Sequence, residues 1–217
     1  LPDQGEGFSP EQSFDQLQKG LHKLGQSCSE KQTIQLSDYL GLLCRWNSTY
    51  NLTAINTPED MLVRHLLDSL AVAPYLRGKN FLDVGTGAGL PGIPLAIVNQ
   101  QRKFVLLDSN GKKTRFLFHV RTQLGLDNVE EVQCRAEKHE VDNGYSGILS
   151  RGLSSLREMV QNTKHLLAPG GRFYAMKGKF PDAEVAQLSE TYKVEEFIRL
   201  LVPELDEDRH LIIIKKK

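Results

Sequence analysis

Four glycines fall within eight residues in Asp83-Val84-Gly85-Thr86-Gly87-Ala88-Gly89-Leu90-Pro91-Gly92, directly after the apolar stretch Phe81, Leu82 and Val84. A strand, a glycine turn and a helix in that order form a nucleotide-type site at the carboxyl end of a parallel sheet. Glycine lacks a Cβ, so a ligand can approach the backbone closely. The helix that begins near Pro91 adds unpaired N–H groups and a positive dipole end. Two glycine codes overlap here. Gly87, Gly89 and Gly92 spell G-x-G-x-x-G, the dinucleotide fingerprint. Gly85, Gly87 and Gly89 spell G-x-G-x-G, with Asp83 two residues ahead. Both codes bind a cofactor; a tight turn with no ligand is the plainer alternative.

Other candidate residues end the apolar runs that follow. Asp108 closes Phe104-Val105-Leu106-Leu107, 19 residues after Gly89, where an acid that accepts ribose hydroxyls falls. An ordinary helix cap ahead of Asn110 is a compatible simpler role. The next run ends Gln133-Cys134-Arg135-Ala136-Glu137. In this architecture that loop lies along an adenine, so Ala136 offers its backbone to the ring edge and Glu137 accepts from the amino group. Leu149-Ser150-Arg151-Gly152 ends on the edge facing the reacting end of the cofactor. Arg151 there fixes cofactor or acceptor, with a surface salt bridge as the alternative. Arg102, Lys103, Lys112, Lys113, Arg115 and Arg121 share one 20-residue window with Asp108 as its only acid. Arg135, Lys177, Arg209 and His210 add charge near strand ends. A solvated face accounts for any single lysine; the clustering favours a polyanionic partner. His65 and Asp68, at i and i+3 on a helix, are neighbours and read better as a hydrogen-bond network than as acid–base catalysts.

These residues need a frame. Phe14, Leu17, Leu21 and Leu24 recur at helical spacing from Pro10 to a stop at Gly25. Ser29 and Gln32 form a capping box for a second helix through Trp46. Thr57-Pro58-Glu59-Asp60 starts a third that runs toward Pro74. Trp46, with Asn47 and Asn51, buttresses this extension against the sheet. After Gly78 strands alternate with helices. Expected strands are 80–84, 104–108, 129–134, 146–150, 172–177, 194–202 and 209–215, and expected helices 91–99, 111–124, 154–167 and 182–190. The last two strands have only Pro203 to Asp208 between them, an antiparallel hairpin ending that a plain dinucleotide fold does not usually have. The division is a loose terminus at 1–10, a helical extension at 11–77 and a cofactor-binding domain at 78–217.

Composition narrows the class. The 217 residues carry 27 Lys+Arg and 27 Asp+Glu, which excludes a globally basic binder and leaves room for a local basic face. Cys28, Cys44 and Cys134 form no C-x-x-C pair, so no disulfide framework or zinc site is expected. With no long apolar run and no signal-peptide pattern, the chain reads as cytoplasmic, membrane-free and metal-free.

The G-x-G-x-G code and the hairpin ending resemble a Rossmann-like S-adenosylmethionine (SAM) methyltransferase. No Asp/Asn-Pro-Pro-aromatic motif and no Pro-Cys nucleophile appear, which argues against an exocyclic amine or a cytosine carbon as acceptor. An acceptor with its own lone pair, such as guanine N7, fits. Trp46-Asn47 through Asn51-Leu52-Thr53, Arg64-His65-x-x-Asp68-Ser69, the run from Asp83 through Gly92-Ile93-Pro94-Leu95, Leu107-Asp108-Ser109, Ser150-Arg151 and Arg209-His210-Leu211 together resemble the RsmG (GidB) family of bacterial 16S ribosomal RNA guanine-N7 methyltransferases. The resemblance implies an α/β fold of the class I SAM-dependent methyltransferases, with a seven-stranded, mostly parallel sheet and an antiparallel last strand. It implies SAM contacts at Gly85, Gly87, Leu90, Asp108, Ala136, Glu137 and Arg151, and RNA contacts at Arg135, Lys177 and Arg209. Arg135, Arg151 and Lys177 are the candidates for positioning the acceptor. The implied partner is 16S ribosomal RNA or the small subunit, met by a monomer. Gly152 and Lys113 stand where the family often has Ala and Arg, and neither removes a motif residue. A small-molecule SAM methyltransferase and a non-catalytic RNA-binding assembly factor are the alternatives.

Overall fold

The computed structural model describes residues 10–152, 155–179 and 181–217; the terminus expected at 1–10 lies, but for Pro10, outside the described residues. Strand β1 (Asn80–Val84) is buried from Phe81 onward. A central parallel strand covered on both faces carries such an unbroken apolar run rather than an alternation. It pairs in parallel with β2 (Lys103–Asp108) and with β4 (Tyr145–Arg151). Beyond β2 lies β3 (Val129–Gln133), and beyond β4 lies β5 (Leu167–Lys177), both parallel. β7 (His210–Lys216) inserts antiparallel between β5 and β6 (Tyr192–Arg199), giving the order β3-β2-β1-β4-β5-β7-β6. The order reverses between β1 and β4, which opens a crevice at their carboxyl ends. At the far edge, Glu195 of β6 accepts from Arg172 of β5 at 2.6 Å and from Lys215 of β7 at 2.6 Å. Those two bonds hold its carboxyl down at about 2.

Helices cover both faces. α5 (Gly92–Val98) and α6 (Gly111–Leu124) lie on one. The extension packs over them: α1 (Pro10–Lys23), α2 (Glu30–Tyr50), and a continuous helix made of α3 (Pro58–Met61), a π-helical turn Leu62–Leu67 and α4 (Asp68–Leu70). Ser29 and Gln32 close the expected capping box on α2, and Thr57 caps α3. Leu17, Leu36, Tyr39, Leu43, Met61 and Leu66 are fully buried and join Phe81, Phe104 and Phe116 in one apolar cluster. Each such side chain contributes about 2 kcal/mol relative to exposure, so core burial ties the extension to the sheet. Trp46 packs on Phe116 with ring centroids 5.4 Å apart, the buttress expected of it. α7 (Leu156–Thr163) and α8 (Asp182–Ala186) cover the other face, where Leu156 and Val160 meet Leu82, Ile148 and Phe173.

Several boundaries shift. The third helix is not uniformly α. The wider π turn places His65 and Asp68 on two sides of the incoming Arg151 side chain; such turns frequently mark functional sites. α5 starts at Gly92, with Pro91 just outside it. α7 ends at Thr163 and a 3-10 turn over Lys164–Leu166 leads into β5, which begins five residues before the expected 172 because Gly170 and Gly171 lie inside the strand. α8 stops at Ala186, not 190. β6 ends at Arg199, not 202, because Leu200 and Val202 turn into the core and Leu200 N donates to Arg209 O at 2.8 Å. No helix of the described residues is long and apolar enough to cross a membrane.

Candidate cofactor and substrate site

The glycine loop is shaped by a buried acid. Asp83, with no exposed surface, is the penultimate residue of β1, and its Oδ2 accepts from Thr86 Oγ1 at 2.6 Å and from Gly92 N at 2.8 Å. One carboxylate oxygen thus clasps both ends of the loop. Burial lifts the Asp83 carboxyl to about 7, against the opposing pull of the Thr86 and Gly92 bonds and of Arg151. Gly85 and Gly87 have φ of 63° and 61°, the left-handed region that glycine enters without strain. Gly92 differs. A Cβ there stands 2.2 Å from Leu106 Cδ2 and 2.8 Å from Asp83 Oδ2, so this glycine serves packing. Gly92→Ala is expected to lower stability by about 2 kcal/mol through overpacking, read as a drop in thermal midpoint; an unchanged midpoint removes Gly92 from that role.

Asp108 sits at the end of β2, 5% exposed. Its Oδ2 accepts from Gly87 N at 3.0 Å, its Oδ1 accepts from Asn110 N at 2.9 Å, and Lys113 Nζ stands 3.6 Å from Oδ2. The cap of α6 is Asn110, whose side chain accepts from Lys112 N, so the simpler capping role falls to the neighbour. A carboxylate offers about four acceptor positions, which leaves room for ligand hydroxyls beside the two backbone bonds.

Around these groups lies a cleft of about 610 Å³, within the range of small-molecule sites. Gly85, Asp108, Arg135, Ala136 and Glu137 line it, all singled out in the sequence. Ala136 and Glu137 form a 3-10 turn with Lys138 after β3. Val84, Leu107, Cys134 and Met159 supply apolar walls; Asn162 and Thr163 of α7 supply polar groups. A cleft with apolar walls and several carboxylates, hydroxyls and amides among its lining suits an adenosyl group, so the residues present fit SAM. The α7 wall was missed in the sequence. Its only signal is that Met159 and Thr163 are four apart on one helix face.

Gly87, Leu90, Arg151, Lys177 and Arg209 are not among the residues lining the cleft. Gly87 reaches it through Asp108, while Leu90 is buried behind the loop. Lys177 donates to Glu184 at 2.8 Å. Arg151 points to the extension: its Nη1 donates to Arg64 O at 2.9 Å and to Asp68 Oδ2 at 3.2 Å, and its Nη2 meets His65 Nδ1 at 3.3 Å. Asp68 is shared with Arg209, whose Nε is 3.4 Å from Oδ1. His65 Nε2 meets Thr53 Oγ1 at 2.8 Å, and Thr53 N donates to Asn47 Oδ1. His65 and Asp68 therefore belong to one network through Arg151, as expected. Burial, then Arg151, lowers His65 to about 4 and keeps the ring neutral. Burial raises the Asp68 carboxyl, opposed by both arginines.

The profile of the family described as rRNA small subunit methyltransferase G matches residues 32–212. A ribosomal RNA small subunit methyltransferase G from an Enterobacter species is 50% identical over 202 residues, covering 93% of this chain and 98% of its own. Another from Escherichia coli is 49% identical over the same shares. In fold, the chain is similar to a SAM-dependent methyltransferase from Geobacter sulfurreducens solved with S-adenosyl-L-homocysteine. That likeness has a TM-score of 0.53 at 14% identity and covers 82% of this chain and 98% of that one. With a profile match across most of its length and about half its residues shared with full-length relatives, the chain belongs to the rRNA small subunit methyltransferase G family of SAM-dependent methyltransferases.

Proposed function

We propose that this protein transfers a methyl group from SAM to N7 of a guanine in 16S ribosomal RNA of the small subunit. Membership of a family named for that RNA supports the substrate class. The observation that carries the chemistry is the state of the acid–base groups at the β4 edge. Asp68 is shared between two arginines, and His65 is buried between Thr53 and Arg151. Neither side chain lines the cleft, and both are turned to Arg151, which suits an acceptor with its own lone pair. When bound, SAM supplies an electrophilic methyl group on a sulfonium.

In this reading the backbone at Gly85 and Gly87, with Leu90 behind it, shapes the seat for the amino-acid end. Asp108 accepts the ribose hydroxyls, and Ala136 and Glu137 meet the adenine. Arg151 borders the cofactor from the extension side. Arg135 follows β3, Lys177 ends β5 and Arg209 precedes β7, and the three orient the RNA. Catalysis then rests on holding acceptor and methyl in line rather than on proton transfer. Purified protein, labelled SAM and separated ribosomal subunits test the proposal. Label is expected in small-subunit RNA as 7-methylguanosine by mass spectrometry. Label at another atom, or on small metabolites alone, overturns it.

A further inference from the structure

Glu207 lies in the loop between β6 and β7 and is gripped by two arginines, its near neighbour Arg209 and the distant Arg64. Arg64 Nη1 donates to its Oε1 at 2.6 Å and Arg209 Nη2 to its Oε2 at 3.0 Å. These bonds hold the Glu207 carboxyl below the usual carboxylate range. Each arginine also has other anchors. Arg64 Nε bonds Asp60 at 3.3 Å, one turn back, and its main-chain oxygen is fixed by Arg151. Arg209 is backed by Asp68 and bonds the Asp208 main-chain oxygen through Nη1 at 2.9 Å.

Exposure is graded through the stack. The side chain of Asp68 is 4% exposed, Arg209 19%, Arg64 35% and Glu207 45%. The cations thus form a floor on a buried carboxylate, and Glu207 is the outermost layer. Exposed ion pairs contribute little to stability, so stability alone does not account for a doubly held surface acid. Two guanidiniums converging on two oxygens of one anion is also how arginines grip phosphate. The position adjoins the reacting edge, because Arg151 of β4 bonds the same turn that carries Arg64.

We propose that Arg64 and Arg209 form a seat for a backbone phosphate of the RNA substrate, and that Glu207 fills this seat until RNA displaces it. The inference rests on the ribosomal RNA reading above. It adds Arg64 to the RNA contacts and gives Glu207 a competing role. RNA that carries its phosphate into the seat releases Glu207 to solvent; RNA that cannot reach the seat binds against an intact acid.

The test is binding of the full chain to small-subunit ribosomal RNA across a salt series. Glu207→Gln is expected to bind about 10-fold tighter than wild type, because the neutral amide yields the seat. Arg64→Gln is expected to bind about 10-fold weaker, with the slope of log affinity against log salt reduced by about 1. In the double variant, loss of the acid is expected to recover less than about 3-fold over Arg64→Gln, since half the seat is gone. Glu130→Gln, an exposed acid on β3, controls for net charge. Tightening by Glu207→Gln no larger than that of Glu130→Gln overturns the seat, as does an unchanged salt slope in Arg64→Gln. If wild type methylates ribosomal RNA while these variants bind like wild type, the seat alone fails. If wild type neither binds nor methylates RNA, the substrate reading fails with it.

Discussion

Asp108→Ala is expected to weaken SAM binding by about 100-fold, measured by calorimetry on folded protein. Two hydroxyls accepted by a charged oxygen pair contribute about 1.5 kcal/mol each, and about 1.4 kcal/mol is a factor of ten. The substitution does more than remove a ligand contact. It frees Gly87 N and Asn110 N from a carboxylate that is 95% buried by its 5% exposure, so the glycine loop and the β2–α6 turn lose their common anchor. It also leaves Lys113 Nζ without the acid that stands 3.6 Å away. Asp108→Asn keeps one acceptor oxygen and is expected to fall between the two. Calorimetry that finds alanine and wild type equal in affinity removes Asp108 from the cofactor site.

Asp83→Asn is expected to change how stability depends on pH. Burial lifts the Asp83 carboxyl from 3.8 to about 7 in the folded chain. Between those values the native state binds the proton more tightly than the unfolded state does. Stability therefore falls as pH rises through that window. Below about pH 4 both states are protonated and there is no penalty; above about pH 7 the penalty is complete. At about 1.4 kcal/mol per pKa unit, it amounts to the order of 4 kcal/mol. Asparagine is neutral throughout and carries none of it. Its oxygen can still accept from Thr86 and Gly92, while its NH2 falls where Asp83 Oδ1 has no partner, a cost that does not vary with pH. The expected result is a wild-type stability that drops from pH 4.5 to 8 relative to the variant, followed by urea unfolding. Parallel pH profiles for the two proteins rule out the buried-acid account.

The features legible in the sequence are those that local chemistry decides. Ser29 with Gln32, Thr57 ahead of Pro58, and the glycine loop between an apolar strand and a helix all act within a few residues of themselves. Asp108 was legible because its distance from Gly89 is set by one helix and one strand. Features made by long-range packing were not. Met159, Asn162 and Thr163 reach the cleft only because α7 crosses the sheet beside β4. Arg151 was expected at the cofactor, yet it is not among the residues lining the cleft and its guanidinium meets Asp68, 83 residues earlier. The π turn has no distinctive residue preference. Glu207 read as one acid in a hairpin loop until folding brought Arg64, 143 residues away, onto it.

The insertion of β7 between β5 and β6 sets an order of events during synthesis. β6 emerges from the ribosome before β7, which among the described residues is the only strand that connects it to the sheet, so it must wait with both edges unpaired. Synthesis proceeds at roughly 5–20 residues per second, which makes that interval short but real, and an unpaired strand is an invitation to wrong partners. Half of its eight residues are charged, Lys193, Glu195, Glu196 and Arg199, and charged side chains are among the devices that discourage such pairing. When β7 arrives, Lys215 and Arg172 close on Glu195 from two directions. The two ion pairs thus pin β6 at the point where its register with β7 shifts, between Val194 and Glu196.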